Sequence, residues 1–237
     1  LHTMLDVKTN ILTFIYITSG SIHEIHALDH LPIESGSFYL MDKAYIDFDR
    51  LFRMHNSGAF FVTRAKENFR FIRVSSRQID KHTGLICDQT VKLKNLKVSQ
   101  DYPGLIRRVK YYDSDIEMEF VFITNNFEIN ALDVALLYKY RWTIEQFFKW
   151  VKQHLKIKSF WGHSFNAVKT QIYIAMITYL SVTLVKYRLN LKQTQYEILQ
   201  VLSISLLCKT PLLELFSKSY PQYVKEQKCN QLNIFTL

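Results

Sequence analysis

The 237-residue chain has few of the features that mark an exported protein. Its three cysteines, Cys87, Cys208 and Cys229, are an odd number and lack metal-ligand spacing. Such a set argues against a disulfide framework and favours a reducing compartment. The first six residues also lack the charged head and long apolar run of a signal peptide. We therefore expect a protein that stays inside the cell.

Long apolar runs are scarce as well. The stretch 172–185 is largely apolar but covers only 14 positions, whereas a membrane-spanning helix needs about 20. We interpret it as a buried helix and expect no membrane association. The chain carries no internal repeat and no low-complexity tract. With 48% hydrophobic residues, including 17 Phe and 14 Tyr, it has the composition of a folded globular protein.

Positive charge is concentrated in two blocks. Residues 66–110 carry 11 basic and 4 acidic residues, and residues 139–192 carry 10 basic and 1 acidic. Between them, residues 111–138 carry no Lys or Arg and 6 acidic residues. This distribution is typical of a protein that binds a phosphate backbone. The alternative is a structural α/β domain with an incidental basic surface.

The pattern of apolar residues predicts a mixed α/β fold. A hairpin over Leu1–Val7 and Ile11–Thr18 turns at residues 8–10, and residues 66–125 alternate between apolar and polar residues as several strands do. Other strands are predicted at Ser37–Met41 and Ala59–Thr63. Helices are predicted at His23–His30, Asp47–Asn56, Asn130 to about Leu155, His163–Lys186 and Gln193–Leu207, with Asp47 and Asn130 as N-caps.

Four residues near the second basic block recur at helical spacing: Tyr138, Arg141, Glu145 and Lys152. Separations of three, four and seven place them on one face of a helix. A carboxylate among cations can hold a divalent metal while its neighbours bind phosphates. The simpler alternative is an amphipathic helix on which Glu145 pairs with Arg141 one turn away.

Asp42 follows a short apolar strand directly. Ligand and metal sites of open α/β sheets lie beyond the carboxyl ends of their strands, which makes Asp42 a candidate metal ligand. The alternative is that its side chain only caps a turn.

The spacing Tyr138-x2-Arg141-x3-Glu145-x6-Lys152 resembles the Tyr-Arg-Glu-Lys signature of bacterial insertion-sequence transposases of the DDE class. The stretches 42–48 and 58–66 are similar to the second-aspartate region of these enzymes, with Ala44 where the family more often has Gly. The resemblance covers roughly Leu1 to Val185. It implies a ribonuclease H-like core interrupted by an inserted β-rich domain and followed by C-terminal helices.

The resemblance also implies a division of the chain. Residues 1–65 are the first part of the catalytic core, 66–125 the inserted β-rich domain, 126–190 the second part of the core, and 191–237 a C-terminal helical tail.

The family's chemistry implies roles for individual residues. Asp42 and Glu145 are the implied catalytic carboxylates and ligands of two Mg²⁺ ions, for which Mn²⁺ can substitute. The implied partner is double-stranded DNA, both transposon ends and target, bound by a homodimer in the bacterial cytoplasm at the nucleoid. The predicted DNA-binding residues are Tyr138, Arg141, Lys149, Lys152, Arg70, Arg73 and Arg77, the last three because of the charge of residues 66–110.

One part of the signature has no counterpart in the chain. No residue matches the family's first catalytic aspartate, since Asp6 aligns with a non-catalytic position. We therefore expect an N-terminally truncated transposase that is inactive alone. Two other functions stay open: a non-catalytic DNA-binding remnant, and a ribonuclease H-like nuclease that cleaves without joining. Four aromatic residues flank Glu145, and we expect core packing of them rather than stacking on bases: Trp142, Phe147, Phe148 and Trp150.

Overall fold

The computed structural model describes residues 1–19, 23–155, 157, 159–205, 207 and 209–217. Two compact units divide the chain, Leu1–Leu180 and Ser181–Leu237. Cys87 is a free thiol, whereas Cys208, Cys229 and the predicted C-terminal tail beyond residue 217 lie outside the described residues.

The structure is mixed α/β, as predicted. The strands are β1 His2–Leu5, β2 Leu12–Tyr16, β3 Phe38–Met41, β4 Phe60–Arg64, β5 Phe71–Arg77, β6 Leu85–Leu93, β7 Ile106–Asp113 and β8 Met118–Thr124. The helices are α1 Phe48–Asn56, α2 Leu96–Asp101, α3 Ala131–Lys139, α4 Trp142–His154, α5 Phe165–Arg188, α6 Gln195–Ser205 and α7 Leu212–Ser217. Short 3-10 helices cover Glu24–His30, Lys43–Tyr45 and Lys81–Thr83.

The strands form two sheets. β1 and β2 are the predicted hairpin, which Asp6 closes by accepting hydrogen bonds from the backbone of Lys8 and Thr9. The larger sheet has the order β3-β4-β8-β7-β6-β5, with β3 and β4 parallel and the remaining pairs antiparallel. Residues 66–125 therefore extend the sheet that β3 and β4 begin. Asp42 follows one edge strand, and β5 is the opposite edge.

Helices cover both faces of the six-stranded sheet. Leu51 and Met54 of α1 lie in the same buried cluster as Phe61 of β4 and Ile123 of β8. On the other face, Val134 and Ala135 of α3 pack against Val62 and Phe122. A third cluster joins the β1–β2 hairpin to α4 and α5; its buried members are Leu12, Phe147, Val151, Ile172, Ala175, Met176 and Tyr179.

Both predicted N-caps are confirmed. The side chain of Asp47 accepts a hydrogen bond from the backbone of Arg50, and that of Asn130 accepts one from Leu132. Each cap satisfies a backbone donor that has no partner within its own helix.

The prediction of one continuous helix from Asn130 to Leu155 is wrong, because the chain turns at Tyr140–Arg141. The backbone amides of Tyr140, Arg141, Thr143 and Ile144 each donate to the carbonyl three residues earlier. This tighter winding separates α3 from α4 without a glycine or proline.

Helix α5 confirms the predicted helix His163–Lys186, displaced two residues along the chain. It contains 24 residues, and by length and composition alone it could cross a membrane. Core helices pass the same test, and one face of α5 packs through Ile172, Met176 and Tyr179 into the cluster with the hairpin and α4.

Candidate active site

Asp42 lies where β3 ends, and its two carboxylate oxygens face different partners. Oδ1 accepts a hydrogen bond from the backbone amide of Ala44 at 3.2 Å and caps the short helix Lys43–Tyr45. Oδ2 lies 3.5 Å from Nη1 of Arg141. The capping alternative is therefore correct, but it uses only one oxygen and leaves the other, on a side chain 44% exposed, for the site.

The turn between α3 and α4 positions the other signature residues. Tyr138 is buried in the last turn of α3, Arg141 lies in the turn itself, and Glu145 lies in the first turn of α4. A carboxylate is favoured there, because the backbone amides of a helix start carry partial positive charge. The predicted single helical face is thus replaced by two helix ends that meet.

Arg141 joins the two predicted carboxylates. Its Nη2 donates to Oε1 of Glu145 at 2.7 Å, while Nη1 faces Asp42. The pair with Glu145 is what helical spacing alone predicts, but the link to Asp42 is not. Burial by itself would lower the pKa of Arg141, yet the hydrogen bond to Glu145 and the charges around it raise that pKa overall.

Two buried polar atoms of this site make no hydrogen bond of regular geometry among the described residues, although the side chains of Tyr138 and Arg141 are close enough to interact. They are Nε of Arg141 and the hydroxyl of Tyr138. The Tyr138 ring packs 5.0 Å from that of Phe122 between ring centres, and the Arg141 guanidinium lies 5.6 Å from the centre of the Tyr138 ring. Burial raises the pKa of Tyr138, so its hydroxyl keeps its proton and stays a hydrogen-bond donor. Buried donors without regular hydrogen bonds are rare in folded proteins.

Beyond Glu145, one face of α4 is open at the surface. Its residues include Glu145, Phe148, Lys149, Lys152 and Gln153. The two lysines follow Glu145 by one and two helical turns and are exposed. Acidic and basic groups are therefore arranged side by side along one surface.

The aromatic residues near Glu145 have different environments. Phe147 is buried, and Trp150 packs against Tyr179 at 5.4 Å between ring centres. Phe148 is half-buried beside Phe147. Core packing was the expectation, and it accounts for these three. Trp142 differs, since it is 57% exposed.

The three arginines of the first basic block lie away from this site. Arg73 and Arg77 belong to β5, and Arg70 precedes it, so all are at the sheet edge opposite Asp42. Five strand spacings of about 4.8 Å separate the two edges by roughly 24 Å. Sequence reasoning grouped these arginines with the signature residues as DNA-binding candidates, but the fold does not bring the two groups together.

A bulge at Val74 also separates Arg73 from Arg77. Arg73 is paired with Val91, and Arg77 with Asp88. Val91 packs with α1 on one face of the sheet, whereas Asp88 is next to Val109 of the other face. In a regular strand residues four apart share a face. Arg77 further donates to the carbonyl of Phe127 at 2.7 Å.

Sequence reasoning missed Arg64 as a site residue. Parallel pairing of Met41 with Thr63 brings Asp42 and Arg64 to neighbouring strand ends. The Arg64 guanidinium lies 4.7 Å from the centre of the Phe120 ring, and its charge acts on Tyr138. The signal was the similarity of residues 58–66 to the second-aspartate region, which includes this arginine.

The candidate site contains two carboxylates rather than a larger group of metal-ligating side chains. Within the described ranges no group of three or more His, Cys, Asp or Glu residues could hold a metal ion. Two carboxylates nevertheless suit Mg²⁺, which is commonly held by one or two of them while water and substrate phosphate complete its shell.

Comparison with known proteins adds independent information. The family described as "Transposase DDE domain" matches residues 1–181. The chain is 36% identical over 185 residues to the candidate transposase y4zB of Sinorhizobium fredii, covering 76% of this chain and 51% of that protein. It is 30% identical over 151 residues to the candidate transposase of insertion sequence element IS5377 of Geobacillus stearothermophilus, covering 59% of this chain and 37% of that protein. The chain thus spans about half or less of the length of these relatives.

Proposed function

Since this chain belongs to the transposase family with a DDE domain, we propose that it forms part of a catalytic domain that cleaves and joins DNA strands in transposition. The observation that carries the proposal is the convergence of Asp42 and Glu145 on Arg141 from separate elements. An incidental basic helix has no reason to bring a strand-end carboxylate to the same guanidinium.

In this proposal Asp42 and Glu145 hold divalent metal, Mg²⁺ with Mn²⁺ as a substitute and two ions during catalysis. The metal would supply Lewis-acid stabilisation of the attacking and leaving oxygens at phosphorus. Oδ2 of Asp42 is available for this role while Oδ1 keeps its hydrogen bond to Ala44.

The surrounding donors would bind the DNA backbone. The Arg141 guanidinium matches a phosphate through paired N–H groups, which the ammonium group of lysine cannot reproduce. Nε of Arg141 makes no regular hydrogen bond among the described residues and offers a further donor, while Lys149 and Lys152 extend positive charge along the face of α4. Arg64 would add a further cation at the edge of the site.

We infer a partial site, because two carboxylates converge where the family's signature has three. Metal binding by this chain alone is then weak, and strand cleavage by it is negligible. The family's third carboxylate has no counterpart among the residues that match its signature, and Asp6 aligns with a non-catalytic position.

We further propose that the fold is a ribonuclease H-like core, residues 1–65 and 126–190, with an inserted β-rich domain at 66–125 and a helical tail at 191–237. The parallel β3–β4 pair joined through α1 supports the core assignment. The proposed partners are double-stranded DNA and a second copy of the chain in the DNA complex, in the bacterial cytoplasm at the nucleoid.

Iron-directed cleavage of the protein tests the metal assignment. Fe²⁺ with ascorbate and peroxide generates radicals that cut the backbone near a bound metal, and excess Mg²⁺ should suppress the cuts. We expect cuts near Asp42 and Glu145 that disappear in Asp42→Asn and Glu145→Gln. Cuts that persist in both variants, or an absence of cuts near these residues, would contradict the proposal.

Plasmid nicking separates the alternatives. A partial transposase should leave supercoiled DNA intact in Mg²⁺ yet cut its own backbone with Fe²⁺ at the carboxylate pair. A DNA-binding remnant would bind DNA and show neither reaction. Nicking without strand-transfer products, lost in Glu145→Gln, would favour the nuclease.

A further inference from the structure

One cation compensates both carboxylates of the site. Nη2 of Arg141 lies 2.7 Å from Glu145 and Nη1 lies 3.5 Å from Asp42, so the two ends of the guanidinium face the two groups that would hold metal. The Arg141 side chain is 21% exposed, against 44% and 40% for Asp42 and Glu145. The guanidinium is therefore more buried than either carboxylate, and water screens its charge less.

A guanidinium in this position opposes metal binding. It satisfies carboxylate oxygens that a divalent ion needs as ligands, and its positive charge repels the incoming ion. A metal that engages both carboxylates must therefore displace or reorient Arg141.

The structure also offers Arg141 a second role. Its Nε is buried and makes no hydrogen bond of regular geometry among the described residues, and the Tyr138 hydroxyl is close enough for the two side chains to interact. Turned outward, Arg141 can offer Nε as well as its terminal nitrogens to a phosphate oxygen. The carboxylate contacts therefore use only part of the hydrogen-bonding capacity of Arg141.

We propose that Arg141 is a built-in counter-ion that exchanges between two states. Without metal it pairs with Asp42 and Glu145; with metal on the carboxylates it turns to a DNA phosphate. The inference rests on the proposed function, because it requires Asp42 and Glu145 to be metal ligands. Its consequence is that metal and DNA strengthen each other's binding by the same factor.

Mn²⁺ binding to the purified chain tests the first half of the exchange. Free Mn²⁺ is measured by electron paramagnetic resonance during titration of the wild type, Arg141→Gln and Lys139→Gln. Lys139→Gln is the matched control, because it removes one positive charge close to the same turn and frees the carboxylate of Asp113, to which Lys139 is paired at 2.9 Å. Circular dichroism confirms that each variant is folded.

We expect Arg141→Gln to tighten Mn²⁺ binding about tenfold, within the usual range of coupling between sites. Lys139→Gln should change it little, and adding Glu145→Gln to Arg141→Gln should remove the gain. An equal gain in Lys139→Gln would overturn the inference, since the effect would then come from overall charge.

Other outcomes separate the inference from the proposed function. If Arg141→Gln binds Mn²⁺ as the wild type does, and Glu145→Gln abolishes binding in both, the counter-ion role is wrong while the metal site stands. If no variant binds Mn²⁺ in a manner that depends on Glu145, the proposed metal site and the counter-ion role are both wrong.

DNA affinity tests the second half of the exchange. The probe is a short fluorescent duplex titrated with protein at constant ionic strength, with and without Ca²⁺, which occupies oxygen sites through the same type of ligand. We expect Ca²⁺ to strengthen binding by the wild type severalfold and to leave Arg141→Gln unchanged. An equal Ca²⁺ effect in both proteins would overturn the proposed exchange.

Discussion

Oδ2 of Asp42 and Nη1 of Arg141 lie 3.5 Å apart, although a strand end carries one and the turn between two helices carries the other. This relationship separates the two interpretations of the Tyr138–Lys152 pattern. A solvated amphipathic helix accounts for the Arg141–Glu145 pair, because residues four apart on a helix are neighbours. It does not account for the contact with Asp42, which depends on the packing of α3 against the sheet.

The hydroxyl of Tyr138 gives the first prediction. Tyr138→Phe should leave the folded chain about equally stable or more stable, because the buried hydroxyl makes no hydrogen bond of regular geometry among the described residues. It should also weaken binding to a short DNA duplex by roughly ten- to a hundredfold, since a hydrogen bond to a charged phosphate contributes about 1.5–3 kcal/mol. Urea unfolding and fluorescence anisotropy measure the two effects.

Tyr102→Phe is the matched control for this variant. Tyr102 is also buried and its hydroxyl makes no hydrogen bond among the described residues, but it lies in the cluster on the α1 face of the sheet. It should reproduce the stability effect and leave DNA affinity unchanged. An equal loss of affinity in both variants would argue against a phosphate contact at Tyr138.

A second prediction concerns acid stability. Asp29 accepts hydrogen bonds from Arg50 at 2.6 Å and 2.9 Å and from Arg53 at 2.7 Å, and these bonds hold the pKa of its carboxyl well below the usual range. The unfolded chain, with a pKa of about 3.9 for Asp, then binds more protons in acid than the folded chain does. The stabilisation is complete above that pKa and decreases as the pH falls below about 4.

The measurement is urea unfolding of the wild type and Asp29→Asn at a series of pH values between about 3 and 7. The difference in unfolding free energy should be largest near neutral pH and shrink in acid. Asp49→Asn in α1 is the control, because Asp49 is 65% exposed and lies 3.5 Å from Nε of Arg53. A difference that stays constant with pH would show that the Asp29 carboxylate is not the source.

Local features were the part of the fold that the sequence could predict. The hairpin, the strand before Asp42 and the caps at Asp47 and Asn130 all depend on neighbouring residues, and each is confirmed. The α3–α4 break was missed because Tyr140 and Arg141 are ordinary helix residues that carry no breaker signal. The break depends instead on how the two helices pack, α3 on the sheet and α4 on the hairpin.

The site was predictable only where a motif marked it. Asp42 and Glu145 were proposed from the strand end and the signature spacing, whereas their shared contact with Arg141 requires the tertiary structure. Arg64 was missed because its nearness to Asp42 follows from the register of β3 with β4. No glycine marks the bulge at Val74 in the sequence. The placement of Arg73 and Arg77 on opposite faces of the sheet therefore could not be predicted.

That bulge gives a third prediction, on salt dependence. If Arg73 contacts a DNA phosphate, Arg73→Ala should reduce the slope of log affinity against log salt by about 0.9 while leaving stability unchanged. Arg77→Ala should instead leave the slope unchanged and lower the free energy of unfolding. Its guanidinium donates to the carbonyl of Phe127 and packs on the ring of that residue. An unchanged slope in Arg73→Ala would exclude contact there.

The last prediction concerns the buried ion pair of Arg107 with Asp88, which lies close to the start of α3. Nε and Nη2 of Arg107 donate to Asp88 at 2.9 Å and 2.8 Å, and Nη1 donates to the carbonyl of Ile129 at 2.6 Å. The side chains of Arg107 and Asp88 are only 2% and 4% exposed. Asp88→Ala should therefore lower the free energy of unfolding by about 3–5 kcal/mol, because it leaves a buried charge uncompensated.

The exposed pair of Lys110 with Glu119 provides the contrast, since Glu119 is 53% exposed and Glu119→Ala should cost no more than about 1 kcal/mol. Urea denaturation measures both variants. Because Arg107 also binds the carbonyl of Ile129, next to the Asn130 cap, Asp88→Ala should loosen the start of α3, which hydrogen exchange of that helix would detect. Equal losses in the two variants would mean that the Arg107–Asp88 pair is not what anchors this segment to the sheet.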